Sequence, residues 1–317
     1  MAVMLDGLVQ LVEMIVVLLF APLLVGYVRK VKALLVGRRG PPLLQPYRDL
    51  LRLLRKEVVL AHSASWVFRV TPYVVFAATW VAAALVPTFA TGLLFSYAAD
   101  MIAIVALLGS ARFMLALAGL DVGTSFGGIG SSREMMIASL AEPAMLMVVF
   151  TLSLLAGSTQ LSSIAAFMQG DVGLRVSLAL ALLALGMVAI AENGRIPIDN
   201  PATHLELTMV HEAMILEYSG RHLAMIELAS HIKLLLYLSI IGCVFAPWHI
   251  AVSGQGAAAY LTGLVVYVGK LAAGGFLLAV FETAIAKMRV FRYSDFLGAA
   301  LMLGLLATLL RFVSRVT

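Results

Sequence analysis

Between Ala191 and Ile226 the chain reads AENGRIPIDNPATHLELTMVHEAMILEYSGRHLAMI. This stretch gathers Glu192, Asp199, Glu206, Glu212 and Glu217 with Arg195, Arg221, His204, His211 and His222. Four of the six histidines, His204, His211, His222 and His231, fall in or just after it. Carboxylates and imidazoles held close together in a poorly polar environment shift one another's proton affinities towards neutrality. The chemistry such a set supports is proton uptake and release. A solvated polar loop is the alternative, and it accounts for Arg221 and Glu227. It does not account for Glu192 ending an apolar segment, or for Glu217-Tyr218 leading into the next one. Metal ligation is disfavoured by spacing: HExxH is absent, since Ala213, Met214 and Ile215 follow His211-Glu212, and no cysteine lies near. Asn200-Pro201 reads as an N-cap and first helical position. It predicts a short helix from Pro201 to about Glu217, with His204, Thr208 and His211 on one face.

The elements that must position these groups belong to a membrane protein. The 317 residues are 62% hydrophobic and 12% charged, about half the charge of an ordinary soluble domain. Apolar segments of about 20 residues span a bilayer, and they are predicted at 8–28, 69–91, 99–120, 135–157, 174–191, 230–250, 259–285 and 295–314. The expected fold is an all-α integral membrane protein of about eight helices, a single membrane domain over 1–317. Glu13, Arg112, Glu142, Lys270 and Glu282 lie within these segments and must face protein or water rather than lipid. The single cysteine, Cys243, excludes an internal disulfide, a Cys-ligated iron–sulfur cluster and a CxxC metal site. Asp6 and the lack of Lys or Arg before Arg29 argue against a signal peptide, so the first segment is expected to stay as a membrane helix.

Lysines and arginines crowd the connections 29–68, 121–134, 192–229 and 286–294, while 92–98, 158–173 and 251–258 hold none. The positive-inside rule places the first set in the cytoplasm and both termini outside, with Arg311 and Arg315 running against it. The net charge of +5 is therefore topological, and it implies no nucleic-acid partner. In the first connection, GRRGPP must turn sharply. YRDLLRLLRKEVV after it is an amphipathic helix, for the membrane surface or for a docked partner. The second, DVGTSFGGIGSSRE, reads as a glycine-rich turn with Ser131 and Glu134 as a capping box opening the fourth spanning helix. It lacks the spacing of a phosphate-binding loop. Arg133 is expected one helix face above Glu142, and Glu142-Pro143 is either a satisfied structural acid or part of a proton path.

Ala191-Glu192-x-x-Arg195-x-Pro197-x-Asp199, followed by Glu206 and Glu217-Tyr218-Ser219-Gly220, resembles the signature loop of the eight-helix membrane subunit that docks the peripheral arm of respiratory complex I. The same subunit type occurs in membrane-bound group 4 nickel–iron hydrogenases of the formate hydrogenlyase and hydrogenase-4 kind. Arg38-Arg39-Gly40-Pro41 with Leu44-Gln45-Pro46-Tyr47-Arg48-Asp49 and Lys56-Glu57 is similar to the family's first loop. Arg133 with Glu142, and Arg289, Arg292 and Asp295, match further positions in order. Ile198 in place of the respiratory phenylalanine, the rewritten Asn200–Leu205 and the first-loop sequence resemble the hydrogenase branch, and they leave quinone binding open.

The resemblance implies a transducing subunit of a prokaryotic cytoplasmic membrane complex, with no cofactor on this chain. An iron–sulfur small subunit and a large catalytic subunit with a nickel–iron centre would dock on Arg38, Arg39, Gln45, Tyr47, Arg48 and Asp49. Glu142, Glu192, Asp199, Glu206 and Glu217 would carry protons towards antiporter-like membrane subunits, with His204, His211, Glu212 and Lys270 as additional coupling groups. Arg133, Arg195 and Tyr218 would hold the acids or the loop. A quinone-reducing complex and a stand-alone ion transporter are the rival expectations.

Overall fold

A chain that must satisfy every backbone N–H and C=O inside lipid has helices as its main recourse. The computed structural model, which describes residues 2–170, 175–195, 210–285 and 293–316, consists almost entirely of them. They are α1 (Ala2–Leu35), α2 (Gln45–Leu54), α3 (Trp66–Ala84), α4 (Met101–Asp121), α5 (Ser125–Ala156), α6 (Leu161–Gln169), α7 (Val176–Glu192), α8 (His211–Ile215), α9 (Gly220–Phe245), α10 (Ala257–Ala284) and α11 (Tyr293–Val316). Seven of these are long and apolar enough to cross a membrane. The 17-residue α7 is about 25 Å long, short of a hydrocarbon layer of about 30 Å. Each of the eight apolar segments expected from sequence overlaps one of these helices.

Helix α5 packs against α4, α7 and α11; α3 lies between α4 and α9; α1 packs on α9 and α10. Leu152, Leu185, Ile232, Leu235 and Leu236 fill the centre and are fully buried. A smaller apolar cluster around Phe68, Leu115, Met214 and Ile226 lies beneath the end that bears the basic connections. The opposite end is tied by the parallel pair β1 (Ala90–Thr91) and β2 (Ala251–Val252).

Two expectations need correction. The stretch 125–134 is not a turn: α5 begins at Ser125, with Thr124 as N-cap accepting from the Gly127 N–H at 3.3 Å. Ser131 and Glu134 therefore sit inside the helix, and the Ser131 hydroxyl donates to the Ala116 carbonyl at 2.9 Å. The glycines serve close approach between backbones. A Cβ on Gly127 would stand 2.1 Å from the Gly119 carbonyl oxygen, so α4 and α5 touch there. Likewise α9 begins at Gly220, ten residues before the predicted span, and its histidines His222 and His231 are buried.

Candidate functional site

Arg112 leaves α4 in the interior of the bundle, and its guanidinium meets three carboxylates. Nη1 donates to Glu142 of α5 at 3.3 Å, Nε lies 3.5 Å from Glu134 of α5, and Nη2 pairs with Glu192, the last residue of α7. Glu192 is also 3.2 Å from Lys233 of α9. Four helices thus converge on one ionic group of three acids and two cations. With every member ionised it carries one net negative charge. The arginine fork suits several carboxylates at once, where a lysine offers a point charge. Burial is deepest at Arg112 and Glu192, and a buried charge left without its counter-charge is strongly destabilising.

A cavity of about 90 Å³ adjoins the group, lined by Arg112, Glu134, Glu192, His211, Ser230 and Lys233 among others. One water needs roughly 10–15 Å³ of such space, so there is room for several. Glu142 is reached through a gap of about 10 Å³ against Arg112, Glu192 and Tyr237, about the size of a single water. On the side of the basic end, a groove of about 390 Å³ runs between α2, α8 and α9, past Asp49, Arg52, Glu212, Glu227 and His231. His211, Ile226 and Ser230 line both spaces and form the wall between them. Burial holds the His211 imidazole below its ordinary proton affinity. Glu134 and Glu192 work against that shift, while Lys233 and Arg112 reinforce it.

The turn that ends α7 is what points Glu192 inward. Asn193 caps the helix and Gly194 takes φ +59°. The Gly194 N–H bonds the Ala191 carbonyl at 3.0 Å and the Arg195 N–H reaches back to Ile190 at 2.9 Å. This is the paired closure of a helix C-terminus through a left-handed glycine. Arg195 then leaves in another direction, and its Nη1 donates to Glu282 of α10 at 3.3 Å. Glu282 also receives Lys32 Nζ at 2.7 Å.

Several expected site residues lie elsewhere. Arg133 does not share a face with Glu142: nine residues carry a helix about 180° round its axis, and the cation that reaches Glu142 is Arg112. Among the described residues, the acid held by Arg195 is Glu282 rather than Glu142 or Glu192. Lys270 donates to the Trp248 carbonyl at 2.9 Å, towards the end remote from the Arg112 group. Glu217 is exposed, and Glu212 lines the groove.

Tyr218, next to Glu217, is buried; its ring stacks on Phe68 at 3.9 Å and its hydroxyl donates to the Phe68 carbonyl at 3.0 Å. Ser219 exchanges hydrogen bonds with the Val59 backbone at 2.8 and 2.9 Å. Tyr218-Ser219-Gly220 therefore fastens the first basic connection to the start of α9. In that connection α2 forms on the predicted apolar spacing but ends at Leu54, short of the expected Val59. Pro46 and Leu50 are buried, Gln45 donates to Asp49, Tyr47 donates to the Leu19 carbonyl, and Arg38, Arg39 and Arg48 are exposed. His204, Asp199 and Glu206 lie outside the described residues, as do Arg289 and Arg292; of the helix expected from Pro201 to about Glu217, the described part is helical over His211–Ile215. Among the described residues, no group of three or more His, Cys, Asp or Glu is placed to hold a metal ion.

A sequence profile described as NADH dehydrogenase matches residues 8–313, nearly the whole chain. The chain belongs to the NADH dehydrogenase family. Within that family it is 34% identical over 285 residues to formate hydrogenlyase subunit 4 of Escherichia coli K12, an alignment covering 88% of this chain and 90% of the relative. Hydrogenase-4 component C of the same organism is 33% identical over 279 residues, covering 88% and 87%. An NADH-quinone oxidoreductase subunit of Bacteroides fragilis is 26% identical over 321 residues, covering 91% and 87%. Among solved structures, one of the membrane-bound sulfane sulfur reductase, an archaeal respiratory membrane complex, superposes with a TM-score of 0.81 over 98% of this chain. At 19% identity that likeness concerns the fold. This NADH dehydrogenase family member is accordingly a multi-pass membrane subunit of a complex I-like assembly.

Proposed function

We propose that this chain is the membrane-anchoring, proton-coupling subunit of an energy-converting hydrogenase of the formate-hydrogenlyase type in a prokaryotic cytoplasmic membrane. One observation carries the reading. The Arg112 group is buried among four helices, yet it adjoins a cavity with room for water that shares His211, Ile226 and Ser230 with a groove at the basic end. The higher identity to the two hydrogenase-associated relatives supports this branch over the quinone-reducing one.

In this reading, exposed Arg38, Arg39, Arg48, Arg55 and Lys56 give a cationic cytoplasmic surface. It suits an acidic face of a soluble iron–sulfur and nickel–iron module. Protons enter from the groove. His211, which lines both the groove and the inner cavity, would pass protons between them towards Glu134 or Glu192. Arg112 is shared by three acids. When one is neutralised, its hold on the others strengthens, and the charge balance of the group changes with each proton. Glu142, whose side chain is 42% exposed against 2% for Glu192, is the exit, facing antiporter-like membrane subunits. Asp199, Glu206 and His204 of the central loop would extend the path towards the docked module.

The test is to purify the assembly through a tag on this chain, identify its partners, and measure hydrogen evolution from a low-potential donor together with ion movement in vesicles. A nickel-containing large subunit with hydrogen evolution is expected. Glu142→Gln and Glu192→Gln should leave turnover in place and abolish most ion movement; wild-type coupling in both would sink the proton role. A quinone-reducing reading is favoured by the NADH-quinone oxidoreductase relatives, which match up to 91% of the chain. Iron–sulfur partners without nickel, and with quinone reduction, would establish it. Recovery of the chain with no soluble partner would leave a lone transporter.

A further inference from the structure

Glu282 plays no part in the path just described, since it lines none of the three spaces around the Arg112 group. Its side chain is nevertheless only 5% exposed, and each of its oxygens holds a different cation. Oε2 binds Lys32 on the last turn of α1 at 2.7 Å, and Oε1 binds Arg195 beyond the end of α7 at 3.3 Å. Glu282 itself is on the last turn of α10. One carboxylate therefore joins the ends of three helices, and from these ends the basic connections 29–68, 192–229 and 286–294 depart. Arg29 repels Arg195 from the same side. Among the described residues, Glu282 is the carboxylate that pairs with both Lys32 and Arg195.

What this joint holds is more than the loop. Arg195 is bound to the end of α7 by its own N–H, which bonds Ile190, and Gly194 closes the same turn on Ala191. The turn is short and doubly bonded, so a displacement of the Arg195 side chain is passed to Glu192, three residues back. Glu192 is the acid that Arg112 and Lys233 share. We propose that Glu282 is a positioning residue: through Arg195 it keeps Glu192 in register with Arg112 and Lys233, and with Lys32 it fixes the roots of the docking connections. This rests on the coupling role proposed above.

The test uses the assembled complex in vesicles, with redox turnover and ions moved per turnover read side by side for the wild type, Glu282→Gln, Glu282→Asp, Lys32→Met and Glu192→Gln. Glu282→Gln is expected to lower the ion-to-turnover ratio severalfold and to change its pH profile while turnover persists. Glu282→Asp, which keeps the charge, should recover at least half of the ratio. Lys32→Met, at a side chain half exposed, should give a smaller loss in the same direction. A merely structural role would lower the amount of complex without moving the ratio, and would not be restored by aspartate. If Glu192→Gln uncouples while Glu282→Gln and Lys32→Met both keep the wild-type ratio, the positioning role is wrong and the coupling reading stands. If Glu192→Gln itself leaves coupling intact, it is the coupling reading that falls. Should Glu282→Gln fail to assemble, Lys32→Met and Glu282→Asp decide: a wild-type ratio in the first, or none in the second, overturns the proposal.

Discussion

Two carboxylates are buried to a similar degree at opposite ends of this bundle, and they are satisfied by different means. Glu13, in the half of α1 away from the basic connections, accepts from the Thr88 N–H at 3.3 Å, the Thr88 hydroxyl at 3.0 Å, the Ala90 N–H at 3.2 Å and Gln10 at 3.4 Å. No cation is paired with it among the described residues, and the space beside it is about 10 Å³. Glu192 is held by two cations, beside a cavity of about 90 Å³. Neutral donors, two of them backbone N–H groups, tie Glu13 to the connection that follows α3. Glu192 instead shares one of its cations, Arg112, with other acids, next to room for water. Burial alone therefore does not distinguish these two acids; the kind of partner does.

The largest effect that would test this contrast is expected at Arg112. Arg112→Leu strands Glu134 and Glu142 and leaves Glu192 with Lys233 alone, at a loss of about 3–5 kcal/mol, the scale of a broken buried pair. It should appear as a large drop in thermal midpoint or as loss of the chain from purified membranes. An unchanged midpoint would mean that the acids are hydrated rather than paired. Glu13→Gln keeps an acceptor for Thr88 and Ala90 but turns an amide towards Gln10, which costs roughly 1–3 kcal/mol. Its ion-to-turnover ratio should match the wild type, and uncoupling there would erase the distinction between the two ends. Gly194→Ala adds a Cβ that meets no atom within 4 Å but forces alanine to φ +59°, for a loss of about 1 kcal/mol, readable as a small midpoint shift.

The smallest effect concerns pH. The folded His211 binds its proton less readily than the 6.5 of a free imidazole, so the unfolded chain binds more protons below that value. The stability contribution is complete above about pH 6.5 and is lost as pH falls towards the folded value. His211→Gln should flatten that decline in a midpoint measured between about pH 7 and 5, with little change above pH 7.

Much of the scaffold was legible because apolar length and charge asymmetry are one-dimensional signals. Eight apolar segments and an amphipathic α2 follow directly from them. Glu142 and Glu192 stood out as acids in or at the end of apolar runs. Their pairing did not, because Arg112, Lys233 and Glu134 belong to three separate segments and meet only through helix packing. A usable signal existed: every in-span acid needs a counter-charge, and Arg112 and Lys233 are the cations within the apolar runs of α4 and α9. The glycines at 127 and 130 misled for a related reason, since a turn and a backbone-to-backbone helix contact ask for the same residue. Arg133 misled through spacing, because nine residues reverse a helix face.

The fastening of Tyr218-Ser219-Gly220 onto Phe68 and Val59 makes α9 a lever. One end is clamped to the basic connection by ring stacking and the Ser219–Val59 exchange, with Glu57 so near that a Cβ on Gly220 would lie 2.5 Å from its carbonyl. The other bearing, Lys233, lies 13 residues along the same rigid helix, roughly 20 Å away. A twist of about 10° at the clamp swings a side chain held about 6 Å from the axis by about 1 Å. The contact at that bearing is 3.2 Å, so an excursion of this size is enough to break it.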